Sequence, residues 1–119
     1  MALQFDGSGF VEFIDANFVG DFEIHIDSFQ IPSSGVTEAI GGDSGASTSG
    51  LIISSARAFI VRLNATNYTT VATFTAGTNT PLTINRTGTT LTITTSAGAE
   101  VFPSVSTATY SIDQISGYN

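Results

Sequence analysis

Apolar and polar residues alternate with a period of two along much of the chain, which predicts β-strands. The clearest case is segment 22–27, FEIHID, where every second residue is apolar. The strongest hairpin is segment 82–94, in which two alternating runs flank a turn at Arg86–Thr89. The pattern predicts about ten short strands, at residues 3–5, 10–14, 22–27, 36–40, 51–54, 58–63, 71–74, 82–85, 91–94 and 109–115.

Turn-forming residues are predicted to separate these strands. Asp15–Asn17 is expected to end the second strand, and Gly41–Gly50 is expected to be a flexible loop. Further turns are predicted over 64–67, 76–81 and 96–99. The apolar residues are mostly β-branched, and no amphipathic helix is apparent. The chain is therefore predicted to be all-β, as an antiparallel sandwich or barrel that forms one domain over residues 1–119.

Composition excludes several classes of protein. The chain has 119 residues, with Asp+Glu 10 against Lys+Arg 3 and a net charge of -7. Its basic residues are all arginines: Arg57, Arg62 and Arg86. This deficit of positive charge argues against binding nucleic acid or anionic membrane surfaces. Because there is no cysteine, disulfides, thiolate metal sites and cysteine nucleophiles are excluded.

The N-terminus, MALQFD, has neither the basic nor the long apolar region of a leader peptide. No apolar run approaches the ~20 residues that span a bilayer. We therefore expect a soluble protein without a signal peptide, cytoplasmic unless it is built into a particle.

Several short motifs, in order along the chain, resemble those of the concanavalin A-like, laminin-G-like jelly-roll superfamily. Residues 3–12, LQFDGSGFVE, resemble its entry strands, "L-x-F-D-G" followed by "Y-V-E". Residues 21–26 resemble its "F-T-I-x-x-W-V" strand, and residues 38–42 its "x-x-I-x-G-G" strand end. Residues 82–93 resemble its "V-x-V-T-R-D-G-x-T-L-T-L" hairpin, and residues 110–118 its closing "F-x-I-x-x-I-G" strand.

The resemblance implies an antiparallel β-sandwich of the concanavalin A-like jelly-roll type, with its first and last strands side by side. The chain lacks the tryptophan of the family's third strand and the "W-H-H" that precedes the hairpin, and Thr87 replaces the aspartate of the "R-D-G" turn. The superfamily includes lectins, hydrolases, adhesion modules and viral proteins, so the fold alone does not select a function.

Glu23, His25 and Asp27 form the most distinctive chemical pattern, because strand alternation places them on one face. The pattern resembles the E-x-D-x-E strand of laminarinase-type glycoside hydrolases, in which two carboxylates act as nucleophile and general acid. Retaining hydrolysis needs carboxyl groups ~5–5.5 Å apart, whereas residues four apart on a flat strand have Cα atoms ~13 Å apart. The alternative is a polar strand face that is solvated or covered by a subunit.

His25, the sole histidine, is a candidate contact of an interaction face, together with its two acidic neighbours. Asn67 and Tyr68 are further candidates for a surface that binds a sugar or a partner. For each of them the alternative is an ordinary hydrogen-bonded or packed residue.

A calcium site is a further possibility, because some laminin-G-like modules bind calcium through aspartate side chains and carbonyls at one loop edge. Oxygen ligands on predicted loops are Asp6, Asp15, Asn17, Asp21 and Asp43. The alternative is turn chemistry, in which such side chains bond to nearby backbone. No cofactor is therefore expected.

The low charge, the Thr- and Ser-rich surface and the absence of a catalytic set favour a non-enzymatic structural module of a larger assembly. Such a module resembles in kind the decoration, cement or fibre-type proteins of bacteriophage particles, which places it in a virion. Its expected partners are other proteins of the assembly and its own subunits in a homo-oligomer, with a trimer expected by analogy with viral proteins. The alternatives are a lectin-like carbohydrate-binding module and, third, a small glycoside hydrolase that uses Glu23 and Asp27.

Overall fold

The computed structural model describes residues 10–33, 37–41 and 48–118. The chain forms ten strands within these ranges: β1 (Phe10–Phe18), β2 (Phe22–Gln30), β3 (Thr37–Gly41), β4 (Gly50–Ile53), β5 (Phe59–Leu63), β6 (Thr66–Thr69), β7 (Asn79–Thr87), β8 (Thr90–Thr95), β9 (Gly98–Phe102) and β10 (Tyr110–Tyr118).

The strands form two sheets. One has six strands in the order β1-β10-β3-β4-β5-β6, and the other has four in the order β2-β7-β8-β9. Every pairing between described strands is antiparallel. No helix occurs within the described ranges, and therefore none that could span a membrane. The predicted all-β, antiparallel architecture is confirmed.

The inner faces of both sheets supply one hydrophobic core, as the alternation of apolar residues requires. Segment 22–27 shows the predicted pattern, because Phe22, Ile24 and Ile26 point inward between exposed polar neighbours. Strands β5 and β7 alternate in the same way. The buried core comprises Phe22, Ile31, Leu51, Ile53, Phe59, Val61, Leu63, Leu82, Ile84, Leu91, Ile93, Val105, Tyr110 and Ile112.

Aromatic contacts join the two sheets. Phe22 of β2 stacks on Tyr110 of β10, with ring centroids 4.9 Å apart. Tyr68 of β6 meets Phe102 of β9 edge to face at 5.9 Å. Because β6 and β9 are each the last strand of their sheets, this second contact places the two edges side by side. The arrangement is that of a β-sandwich, in which the sheets face each other across a shared core.

One strand, one loop and one turn predicted within the first 50 residues have different outcomes. The predicted strand at 3–5 and most of the predicted loop at 41–50 lie outside the described residues. The prediction that Asp15–Asn17 ends the second strand is wrong, because β1 continues to Phe18. Its register with β10 shifts between Glu12 and Ala16. Such an irregularity lets a strand accommodate an extra residue without ending.

The prediction of a loop at 64–67 followed by a strand at 71–74 is also wrong. Asn64 and Ala65 alone make the turn, with φ of 49° and 64°, the conformation of a type I′ hairpin. Strand β6 follows at once and pairs with β5, with Leu63 opposite Thr66. An Asn-Ala pair is a weaker sequence signal for this turn than Asn-Gly, because Ala carries a Cβ that disfavours positive φ.

The predicted turns at 76–81 and Arg86–Thr89 are shorter than expected. Strand β7 begins at Asn79 and runs through Pro81, and it ends only at Thr87. Pro81 is tolerated there because the ladder between β7 and β8 begins at Thr83. The hairpin turn consists of Gly88 and Thr89, with Gly88 at φ 58°, as a type II′ turn requires.

The sequence predicts a turn at 96–99 and no strand between that turn and residue 109, whereas the structure has strand β9 at Gly98–Phe102. Its pattern reverses the usual one: Val101 is 60% exposed, whereas Glu100 lies opposite the buried Ile93. The Glu100 carboxylate reaches the connection between β6 and β7, where it accepts hydrogen bonds from the amides of Val71 (2.7 Å) and Ala72 (3.1 Å).

We expect Glu100→Gln to lower the free energy of unfolding by about 1–2 kcal/mol, because a carboxylate that accepts two amide hydrogen bonds is replaced by a neutral group with one acceptor oxygen. Urea denaturation measures the loss. Glu23→Gln is the matched control, since its exposed side chain makes one long contact, and it should change stability little. Equal effects of the two substitutions would show that the hydrogen bonds of Glu100 to the amides of Val71 and Ala72 do not stabilise the fold.

Candidate interaction surface

The outer face of β2 carries three of the predicted site residues. Glu23, His25 and Asp27 are exposed and lie on one side of the strand, as predicted. The exposed fractions of the His25 and Asp27 side chains are 55% and 94%. Because β2 is the first strand of the four-stranded sheet, these side chains line one edge of its outer face.

His25 connects two neighbours through its imidazole ring. Nε2 lies 2.8 Å from Asp27 Oδ1, and Nδ1 lies 2.8 Å from Thr83 Oγ1 on β7. A carboxylate only accepts, so Nε2 donates to Asp27. Nδ1 then either accepts from the Thr83 hydroxyl in neutral imidazole or donates to it in imidazolium. The contacts orient the ring in both protonation states, which makes His25 a fixed feature of the surface.

Charge on the outer face of this sheet is confined to β2. At that edge, Glu23 accepts a long hydrogen bond of 3.4 Å from Asn85 Nδ2 on β7. Beyond β7, the cross-strand rows continue with threonine, alanine and valine: Asn85–Thr92–Val101 in one row and Thr83–Thr94–Ala99 in the other. The face is therefore acidic at the β2 edge and neutral from β7 to β9.

The two carboxylates of the hydrolase hypothesis bind to different neighbours. Glu23 contacts Asn85 on the adjacent strand, whereas Asp27 contacts His25 on its own strand. Both are exposed on an edge strand, while a general acid of this enzyme class works in an apolar, water-poor environment. The hydrolase hypothesis stays a prediction, and unchanged activity on a β-glucan in a Glu23→Gln variant would reject it.

Asn67 and Tyr68 lie on β6, in the other sheet. Asn67 is exposed and accepts a 2.8 Å hydrogen bond from Arg62 Nε. Tyr68 is half-buried against the core beside Phe102. Since the outer faces of the two sheets point in opposite directions, the structure does not bring these residues together with those of β2.

Two of the calcium candidates that the structure describes make hydrogen bonds to residues far away in sequence. Asp21 Oδ1 accepts the Gly88 amide at 2.7 Å, and Asn17 Oδ1 accepts the Ser111 hydroxyl at 2.7 Å. Asp15 lies within β1 rather than on a loop, while Asp6 and Asp43 lie outside the described residues. No cluster of three or more His, Cys, Asp or Glu side chains suited to a metal occurs within ranges 10–33, 37–41 and 48–118. These contacts differ from the turn-chemistry alternative, because Asp21 and Asn17 bind residues far away in sequence and not nearby backbone.

Arg86 is the polar residue that the sequence prediction misplaced most. It lies in β7, is fully buried, and is among the largest side chains of the core. Nε and Nη2 donate to the Gly20 carbonyl at 3.1 and 2.7 Å, and Nη1 donates to the carbonyls of Ser106 (3.1 Å) and Ala108 (2.6 Å). The guanidinium carbon lies 4.8 Å from the centre of the Phe22 ring.

The guanidinium ties together two connections, one between β1 and β2 and one between β9 and β10. Burial lowers the pKa of Arg86 because desolvation disfavours its charged form, and the Asp21 carboxylate nearby acts in the opposite direction. The signal for this role was present in the sequence. Alternation that begins at Leu82 and Ile84 places Arg86 on the same inward face.

The chain matches no protein-family model, and no curated protein matches it. The resemblance to the jelly-roll superfamily therefore depends on the motifs quoted above.

Proposed function

We propose that this chain is a non-enzymatic structural module that packs as a symmetric homo-oligomer within a larger assembly. The observation that carries the proposal is an uncharged outer face, from β7 to β9, on a protein whose net charge is -7. No charged residue occurs between Arg62 and Arg86, and the outer face from β7 to β9 shows Asn, Thr, Ala and Val. Such surfaces lose less on desolvation than Lys- and Glu-rich ones do, which suits them to subunit contacts.

The strand connections support the concanavalin A-like jelly-roll form of this proposal. Strand β1, the first described strand, pairs with β10, the last one, and the superfamily resemblance implies that the first and last strands lie side by side. The chain crosses from the six-stranded sheet to β2, returns for β3 to β6, crosses again for β7 to β9 and returns for β10. Repeated crossing between two antiparallel sheets is a feature of jelly rolls.

The assembly that fits best is a bacteriophage particle, with the chain as a capsid decoration (cement) protein or another virion structural protein. Three features support this assembly. The chain is one small antiparallel sandwich, it has no cysteine, and its outer face from β7 to β9 is uncharged. Its partners in this proposal are its own subunits and other proteins of the particle.

Sedimentation velocity of the purified chain, from micromolar to millimolar concentration, tests the proposal. We expect the mass to rise with concentration to a defined oligomer. Raised salt should strengthen this association, because it screens the repulsion between subunits of net charge -7. A chain that remains monomeric throughout, and that binds no particle, would overturn the proposal.

A lectin-like module is the second candidate, favoured by the exposed hydrogen-bonding side chains of the β2–β7 surface. His25, Thr83 and Asn85 lie side by side across the two strands, and polar groups arranged in this way can bind sugar hydroxyls. Binding on a glycan array that is lost in a His25→Ala, Asn85→Ala variant would favour this candidate over the structural one. An array without hits would reject it.

A further inference from the structure

We infer that the outer edge of β6 is a self-association site, where a second copy of the chain adds its own β6 antiparallel across a two-fold axis. This inference rests on the proposed homo-oligomer and specifies its contact, which gives dimers or multiples of dimers in place of the trimer expected by analogy. The contact would join two six-stranded sheets into one continuous sheet, a form of β-augmentation.

The free hydrogen-bonding groups of this edge follow from its pairing with β5. The Thr70 amide donates to the Phe59 carbonyl at 2.9 Å, and Tyr68 lies opposite Val61 in the ladder. Since alternate residues of a strand direct their backbone groups to opposite sides, Thr66, Tyr68 and Thr70 face β5. Asn67 and Thr69 therefore present their amides and carbonyls outward, and no described strand pairs with that side of β6.

These groups are self-complementary. Placing Tyr68 opposite Tyr68 of the second copy sets Asn67 opposite Thr69 of that copy, and the reverse. Each of these two outer pairs can exchange both of its amide-to-carbonyl hydrogen bonds. The next outward amide, that of Val71, is already bound by Glu100 at 2.7 Å. The contact is therefore limited to residues 67–69 of each copy. Both copies contribute the same residues, as a closed two-fold interface requires.

The edge of β9 does not offer an equivalent contact. Ser96 and Ala97 form the turn between Thr95 and Gly98, so Ala99 and Val101 direct their backbone groups outward. A two-fold pairing through these residues sets Glu100 directly opposite Glu100 of the second copy. Like charges in opposed positions destabilise a strand pair, and an inward-pointing charge is a common way to block an edge.

Electrostatics across the chain point to the same edge. Two copies with net charge -7 repel each other. Strand β6 lies in the charge-free segment between Arg62 and Arg86, so the residues that would pair, Asn67 to Thr69, bring no carboxylates of their own together. In contrast, the β2 edge carries Glu23 and Asp27.

Proline variants test which edge is used, with sedimentation velocity as the measurement. Thr69→Pro removes one outward amide without removing a bond to β5, and two of the four contact hydrogen bonds are then lost by symmetry. We expect at least about tenfold weaker association. Val101→Pro is the matched control, because it removes an outward amide from the β9 edge, and association should stay unchanged. Circular dichroism and thermal unfolding show whether each variant is folded.

Charged pairs test the register and do not depend on proline. In Asn67→Glu with Thr69→Lys, opposite charges face each other twice across the two-fold axis, and we expect association about fivefold tighter. In Asn67→Glu with Thr69→Glu, like charges face each other, and association should weaken by a similar factor.

The outcomes separate this inference from the proposed function. Association that is sensitive to Thr69→Pro and to the charged pairs, with dimers or multiples of dimers as the species, supports the β6 contact. An oligomer that ignores these variants, or that occurs only as a trimer, overturns the β6 contact and leaves the proposed homo-oligomer intact. A wild-type chain that never associates overturns both.

Discussion

Arg86→Met should lower the free energy of unfolding by about 3 kcal/mol, because three carbonyl groups lose the hydrogen bonds that a fully buried guanidinium donates to them. The guanidinium donates to the carbonyls of Gly20, Ser106 and Ala108, and methionine fills a similar volume without donors. Removing the buried charge returns part of the desolvation cost. The three carbonyl groups remain without these hydrogen bonds, however, so the substitution is destabilising on balance.

Arg86→Lys should be intermediate, since a single ammonium cannot reach both connections as the planar guanidinium does. Arg62→Met is the matched control: the Arg62 side chain is only half-buried and its Nε donates to the exposed Asn67, so the cost should stay below about 1 kcal/mol. Urea denaturation of the three variants gives the comparison. A loss of less than about 1 kcal/mol in Arg86→Met would show that the two connections do not depend on the guanidinium.

Phe59→Ala should cost about 4 kcal/mol, close to the upper range for core substitutions. Phe59 is fully buried at the start of β5. Its ring meets Phe29 of the opposite sheet edge to face at 5.4 Å, and Phe74 at 5.2 Å. Alanine removes the transferred apolar surface and both ring contacts, and the rigid sheets leave a cavity that cannot close.

Val71→Ala is the control for this variant, because Val71 is 90% exposed and its loss should change stability by no more than about 0.5 kcal/mol. Phe59→Leu keeps most of the apolar volume and should fall between the two. Thermal and urea unfolding measure the series. If Phe59→Ala behaved like Val71→Ala, Phe59 would not join the two sheets in solution.

Both large predictions concern the scaffold that holds the proposed contact in place. Strand β6 is short and is supported by β5 on one side and by the Tyr68–Phe102 contact beneath. The backbone of Phe59 is hydrogen-bonded to Thr70, which directly follows β6. A loss of packing at Phe59 would therefore loosen the β6 edge. We expect core variants to weaken self-association only when they also lower stability, whereas edge variants weaken it alone.

The sequence by itself determined the fold class and the face of the acidic strand. Period-two alternation identifies strands such as segment 22–27 because one face of each strand must be apolar to bury. The same rule placed Glu23, His25 and Asp27 together on the outer side. These predictions succeed because they depend on residues within one strand.

Alternation within β7 is enough to place Arg86 on the inward face, but the edge strands and the partners of Arg86 depended on tertiary structure. Strand β9 exposes Val101 and turns Glu100 inward, and this reversed pattern is stable only because the amides of Val71 and Ala72, in the connection between β6 and β7, donate to the carboxylate. Arg86 can be buried only where carbonyls from two distant connections converge on it. Partners far apart in sequence satisfy these groups, so local pattern cannot reveal them.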